Sequence, residues 1–306
     1  PRQEAFFYRS KLSIFQRMEN ATKILQPFVY LARPAGFLPF LKTIDLQIEL
    51  VEWIDSVDPH AELTPADRKK IEIFTSSTLF PDISDQTNFP TILETLKSYR
   101  HWTREVSASL KYNLLSKNKT GQKMRRELMS LLEQFANRIQ PRAVFQKFTA
   151  HRSETGIFLQ DSGLEFTGRY LHRFLSDDQP FSLICYVVSI GQEIEEKVRE
   201  LSTGGGDVFH AYLLNGLGSG AADLVAHDLQ KFIEHQNGGQ LKRLSPGFHD
   251  WPLIDQRVIF ELLEPENAIG VRLTDACLMY PLKSTSGIMI PQEKSSVAKS
   301  DVTHHF

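Results

Sequence analysis

Residues Asn215 to Leu229 read NGLGSGAADLVAHDL, and the fold turns on what this stretch is. Gly216, Gly218 and Ala221 have the G-x-G-x-x-A spacing of a dinucleotide-binding turn. Such a turn needs a strand before it, a helix opening after it, and an acid ending a second strand about 20 residues on. Two of these are missing. The preceding DVFHAYLL (207–214) runs without a break into AADLVAHDLQKFIEH as a single helical pattern. Gly218, Ala222 and Ala226 fall four residues apart, and Leu229 and Ile233 extend the same face. Downstream, QNGGQL (236–241) is a polar loop in place of a strand ending in Asp or Glu. The stretch is therefore read as part of one helix, from about Asp207 to His235. Its small residues let a neighbouring backbone come close, because each interior glycine costs up to about 1 kcal/mol of helix stability that packing must offset.

Around this helix the pattern is mixed. AVFQKFTA (143–150) alternates as a strand, FSLICYVVSI (181–190) is a nearly continuous apolar run of strand length, and IGVRLT (269–274) and SGIMI (286–290) are two further candidates. GQEIEEKVREL (191–201) is helical by the spacing of Ile194, Val198 and Leu201. Strands separated by long helices, without a strict strand–helix–strand rhythm, point to an α+β class. Residues 1–135 read as mostly helical. Leu41, Ile44, Leu46, Ile48, Leu50 and Val51 form one amphipathic stripe, Thr64 and Pro65 open a second helix as N-cap and first residue, and a long helix follows Pro90. The basic cluster Lys117, Lys119, Lys123, Arg125 and Arg126 is either a solvated face or a docking surface for an acidic partner.

The totals limit the possibilities. A chain of 306 residues with 21 Phe can bury a sizeable core without staples. A net charge of −2 gives no sign of a nucleic-acid or anionic-membrane partner for the chain as a whole. Cys185 and Cys277 each lie in an apolar run, as expected of buried free thiols in a reducing cytoplasm. No segment approaches the run of about 18 apolar residues that a membrane span requires. The chain opens Pro1-Arg2-Gln3 with neither an initiator Met nor a secretory leader pattern, so a start inside a longer protein is open.

The stretch that carries chemistry is RLSPGFHDWPLIDQRVIFELL (243–263). Ser245-Pro246-Gly247 is a turn with Arg243 just before it, and Trp251-Pro252 starts a helix reaching about Leu263. A guanidinium beside exposed turn N–H groups suits a carboxylate or phosphate, since Arg supplies paired donors and the turn supplies more. Arg243 in a structural salt bridge is the competing reading.

These segments together, from FSLICYVVSIGQEIEEKV through AYLLNGLGSGAADLVAHDL and RLSPGF to WPLIDQRVIFELL and IGVRLTDACLMYPLKSTSGI, resemble the activation domain of cobalamin-dependent methionine synthase, in particular its short stand-alone forms associated with corrinoid proteins. The resemblance covers about 141–290 and implies a twisted, mostly antiparallel sheet with packed helices that binds S-adenosylmethionine in a shallow groove. It implies reductive reactivation: cobalamin held by a corrinoid-carrying partner takes an electron from a flavodoxin-like donor and a methyl group from S-adenosylmethionine. It also implies the organisation 1–120 helical region of unknown role, 121–291 activation-like domain, 292–306 polar tail.

By the same resemblance Arg243 would clamp the ligand carboxylate, and Ser245, Pro246 and Gly247 would shape the turn. Phe248 stands where the longer enzymes have Tyr, which removes a hydroxyl and leaves stacking. Asp223 takes the place of a helix acid that would attract the ligand's ammonium or sulfonium group; a solvent-facing acid is the other reading. Lys283, Ser284 and Ser286 would serve anionic corrinoid groups, or be turn and cap residues. Met289 falls at an aromatic ligand contact, and Asp161 is a loose counterpart of an N-terminal acid contact. The chain lacks a D-x-H-x-x-G corrinoid motif, since DPHAEL has Leu63 where Gly is required, so any cobalamin must come on a partner. Neither a cysteine-rich tail, an H-E-x-x-H pair nor a P-loop is present. The expected function is a cytoplasmic, S-adenosylmethionine-binding activation protein or domain accessory to a corrinoid methyltransferase. The alternative is a binding module that keeps the fold and recognises a corrinoid, another tetrapyrrole or a protein without the methyl donor.

Overall fold

A computed structural model describes residues 28–31, 64–69, 106–111, 118–135, 138–175, 179–203, 205–237 and 239–292. The stripe at 41–51 lies outside these residues, as does the tail beyond Gln292, and of the helix after Pro90 only 106–111 fall within them. The elements are β1 (Phe28–Leu31), α1 (Lys119–Phe135), β2 (Arg142–Arg152), β3 (Gly156–Leu159), β4 (Glu165–Thr167), β5 (Phe181–Ser189), α2 (Glu193–Ser202), α3 (Val208–Asn237), β6 (Leu241–Leu244), α4 (Gln256–Leu263), α5 (Pro265–Ile269), β7 (Arg272–Leu273), β8 (Met279–Tyr280) and β9 (Ser284–Pro291).

The main sheet has the order β4-β3-β2-β5-β9-β6, and every neighbouring pair is antiparallel. β1 pairs with the first residues of β2, on the edge that β3 uses further along. The α+β class with a mostly antiparallel sheet is therefore found. Within the N-terminal region read as mostly helical, β1 adds a strand to this sheet, and Val106 and Leu110 join the core. Thr64 does cap the turn at 65–69: its hydroxyl accepts the Asp67 N–H at 3.2 Å while Asp67 accepts the Thr64 N–H at 3.0 Å.

Both faces of the sheet are covered. Ile184, Tyr186, Val188 and Met289 face α3 and α1, packing on Leu213, Leu217, Val225 and Leu229. Leu183, Cys185, Val187, Ile288 and Ile290 face the other way, onto Trp251, Ile259, Leu263 and Ile269. Two-sided burial is why residues 181–190 are apolar at nearly every position instead of alternating. Cys185 and Cys277 are free and buried. The strands that period and propensity did not indicate, β1, β3, β4, β6 and β8, are two to four residues long, too short to show a pattern.

The 215–229 stretch lies inside α3, a single helix of 30 residues capped by Asp207, whose carboxylate accepts the His210 N–H at 3.0 Å. Its glycines make room for side chains, where a neighbouring backbone was expected. A Cβ at Gly216 would fall 2.5 Å from Leu110 Cδ2, and one at Gly218 would fall 3.0 Å from Ile194 Cγ2 of α2. Tyr212 fastens the same contact by donating its hydroxyl to the Leu110 carbonyl. His210 bridges to α1 through Glu127 at 3.1 Å. No described helix is long and apolar enough to cross a membrane.

Two outcomes follow from this packing. Gly216→Val overfills the Leu110 contact and should lower stability by about 1–3 kcal/mol, read as a fall of several degrees in thermal unfolding; an unchanged melting temperature would contradict the packing. Glu165 of β4 accepts the Ser153 hydroxyl at 2.5 Å and also the Thr155 hydroxyl, and these bonds hold its carboxyl below the ordinary value. A depressed folded-state value stabilises the protein above the unfolded-state pKa of about 4.3 and is lost as pH falls through the folded-state value. Glu165→Gln should thus melt lower than wild type at neutral pH, with the two curves converging in acid.

Candidate functional site

The site forms where edge strand β6 ends against α3. Residues 241–244 are in register with β9, placing Arg243 opposite Met289 and Leu244 opposite Ile288. Strand alternation then sends Arg243 to the α3 side of the sheet. There its Nη2 donates to Asp223 Oδ1 at 3.3 Å, with the two side chains 18% and 30% exposed. That distance is long for a charge-assisted bond, and a partly exposed pair is worth about 0–1 kcal/mol. A ligand bearing both charges can therefore replace it at little cost.

Behind this pair lies Tyr186, 1% exposed, with its hydroxyl bonded to Ser245 and Arg243. Burial pushes the phenol above its ordinary value, and the Arg243 charge and the Ser245 hydroxyl pull partly back. The turn after β6 is tightly determined. Gly247 has φ 89°, its N–H donates to the Trp251 carbonyl at 2.9 Å, and the Trp251 N–H donates to the Phe248 carbonyl at 3.2 Å. The Trp251 ring is buried edge-on to Phe166, and its indole N–H donates to Asp255 at 2.9 Å. Asp255 also accepts the backbone N–H of Thr167 at 2.5 Å and its hydroxyl at 3.1 Å, which ties the turn to β4.

Between these parts is an open groove of about 280 Å³ whose polar lining includes Asp223, Arg243, Ser245, Tyr186 and Thr285. Phe248, 67% exposed, stands at its rim, and Tyr170 stacked on His249 (ring centroids 3.9 Å apart) forms a further wall. A guanidinium, a carboxylate, hydroxyls and exposed aromatic rings around one small volume suit a zwitterion with a flat or apolar remainder. Arg243, Asp223, Ser245 and Phe248 are thus brought together. Pro246 and Gly247 shape the turn between the last two without lining the groove.

The remaining expected residues lie elsewhere. Met289 is fully buried in the core facing α3, so its side chain cannot be a ligand contact. Lys283 is 9% exposed, and its amine donates to Asn215 Oδ1 at 2.7 Å and Ser219 Oγ at 2.8 Å. Burial lowers its pKa against the opposing charge of Glu195, and the amine serves to join the start of β9 to α3. Ser284 bonds to Ser189 at 2.9 Å and to the Pro281 carbonyl at 2.7 Å. Ser286 is 1% exposed and opposite Val187, hence on the sheet face away from the groove. These bonds fit the turn-and-cap reading of Lys283 and Ser284, and none of the three lines the groove; Thr285, of the opposite parity to the two serines, reaches it. Asp161 accepts the Thr149 N–H at 2.6 Å in a turn and is not part of the groove.

Sequence reasoning missed Tyr186, Thr285, Tyr170 and His249. For Tyr186 a signal existed: a phenol within a continuous apolar run needs a buried partner. For Thr285 it was the period of two, with the neighbouring serines chosen instead. Tyr170 and His249 meet through a fold contact that no local pattern announces.

Comparison with known proteins bears on the fold that carries this groove. Residues 226–300 match the family described as vitamin B12 dependent methionine synthase, activation domain, a span that contains β6, the turn and β9. Among solved structures, the MetH reactivation domain bound to AdoHcy superposes with a TM-score of 0.53 at 19% identity, covering 67% of this chain and 78% of that one. The chain thus carries the fold of the methionine synthase reactivation domain, and its resemblance to that activation domain holds in sequence from residue 226 and in architecture across the sheet.

Proposed function

We infer that the groove binds S-adenosylmethionine and that the chain acts as an activation protein or domain for a corrinoid-carrying partner. The observation that carries this reading is the Arg243–Asp223 pair facing one small groove, backed by the hydroxyls of Tyr186 and Ser245 and rimmed by Phe248. The AdoHcy bound to the similarly folded MetH domain supports it, since AdoHcy is the demethylated form of the same ligand.

Arg243 pairs with the ligand carboxylate through the planar fork of its guanidinium, and Asp223 attracts the ammonium or sulfonium charge. Tyr186 and Ser245 fix the guanidinium's position from behind. Phe248 gives a ring face to the rest of the ligand but, lacking a hydroxyl, no hydrogen bond. Cobalamin on the partner supplies the methyl-accepting metal chemistry, with its electron from a flavodoxin-like donor, and the residues of this chain contribute binding and orientation.

Calorimetry tests the reading. S-adenosylmethionine should bind the wild-type chain, and Arg243→Ala should weaken binding by about 1.5–3 kcal/mol, the range for hydrogen bonds to charged groups, or at least about tenfold. Arg243→Lys should restore only part, because a single ammonium cannot make the paired contact. An absence of binding heat at millimolar ligand, or an Arg243→Ala chain of unchanged affinity, would favour the module that keeps the fold without the methyl donor.

A further inference from the structure

Beside the groove, and sharing Tyr170 and His249 with it, lies a second cleft lined by Arg169, Arg173 and Asp250. Arg169 and Arg173 are four residues apart on the 3₁₀ turn 169–174, and both are exposed. Among the described residues neither has an ion-pair partner. The Arg173 guanidinium lies 5.5 Å from the centre of the Tyr170 ring, which also stacks against His249. Lys242 adds a third cation close by, 4.9 Å from the Phe174 ring, and Phe174 is itself edge-on to Tyr170. Among the described residues the carboxylate lining the cleft is Asp250, engaged through Oδ1 by the Tyr170 N–H at 2.8 Å.

A second feature of the cleft is the backbone at His249, whose φ of 54° lies in the left-handed region that non-glycine residues adopt uncommonly, His more readily than most. In this conformation the imidazole lies against Tyr170 and lines both groove and cleft. Among the described residues, the cleft thus brings together His249 and two arginines that have no ion-pair partner, around one concave volume.

The geometry points to a phosphate-class oxyanion site formed by Arg169, Arg173 and His249, separate from the Arg243–Asp223 groove and reached from the same mouth. Guanidinium forks suit a tetrahedral oxyanion, and the aromatic ring under Arg173 holds one fork in place without neutralising it. The anion is either free phosphate or the phosphate of a larger ligand that also enters the groove. The site does not depend on the groove's ligand being S-adenosylmethionine.

The test is titration of the full chain with inorganic phosphate at constant ionic strength, followed by NMR shifts and by calorimetry. Saturable binding is expected, weakened at least about tenfold in Arg169→Gln/Arg173→Gln and unchanged in Arg243→Ala. Both arginines are exposed, so the double variant should keep the wild-type melting temperature. If the phosphate of a larger ligand is the natural occupant, S-adenosylmethionine already in the groove leaves phosphate affinity intact, whereas a phosphorylated compound that occupies both sites displaces free phosphate. Shifts matched by chloride, or phosphate binding untouched by the double variant, would overturn the site. Retention of an acidic protein without saturable phosphate binding would also overturn it, in favour of a protein-docking patch.

Discussion

Gly287 sets how closely β6 and β9 approach, and the groove depends on that approach. A Cβ there would lie 2.2 Å from the Leu244 carbonyl oxygen, and 3.0 Å from both the Ser245 and the Tyr186 hydroxyl oxygens. Tyr186 is the cross-strand partner of Gly287 in the β5–β9 ladder, so the missing side chain leaves room for the ring to cross the strand. Crossing it, the phenol meets Ser245 and Arg243. One absent methyl group thus admits the edge strand, the tyrosine and the turn into contact, and the guanidinium is held from the core side.

The turn is fixed from the opposite direction by a buried carboxylate. Asp255 is 5% exposed and accepts hydrogen bonds from Trp251, the Thr167 backbone and the Thr167 hydroxyl. A buried acid is tolerated when its lone pairs are filled in this way, and breaking the set would leave an unpaired charge inside the fold. The acid joins the end of β4 to residues 251–255, so the groove's outer wall is positioned by strands at the other edge of the sheet. Anchored at both ends, the turn can keep Gly247 and His249 in left-handed conformations.

What the sequence disclosed divides along the same line. Long periodic segments, α2, α3, β2, β5 and β9, were legible because many residues repeat one pattern. The dinucleotide reading of Gly216, Gly218 and Ala221 failed on sequence context alone, and the glycines' packing against Leu110 and Ile194 agrees with the helix. Arg243, Ser245 and Phe248 were legible through a turn motif. Ser284 and Ser286 lie on the sheet face away from the groove, whereas Met289 shares the face of Arg243 but is buried under α3. Residues that follow one another on a strand go to opposite faces, and a motif match says nothing about which face is open. Lys283 is buried despite its charge because Asn215 and Ser219 of α3 satisfy its amine, a contact spanning more than sixty residues.

Whole-chain charge hid the electrostatics of the site. The sequence carries 35 Lys and Arg against 37 Asp and Glu, which reads as a molecule indifferent to anions. Around the groove and its neighbouring cleft, however, the charged lining among the described residues is Arg169, Arg173, Lys242 and Arg243 with Asp223 and Asp250. One of these acids lies against Arg243 and the other against a backbone N–H. Fields at a concave surface follow nearby charges much more than the total, since distant ones are screened beyond a Debye length of about 8–10 Å. Among the described residues the mouth is therefore locally positive, on a chain of slightly negative net charge. It favours ligands that bring an anionic group with them.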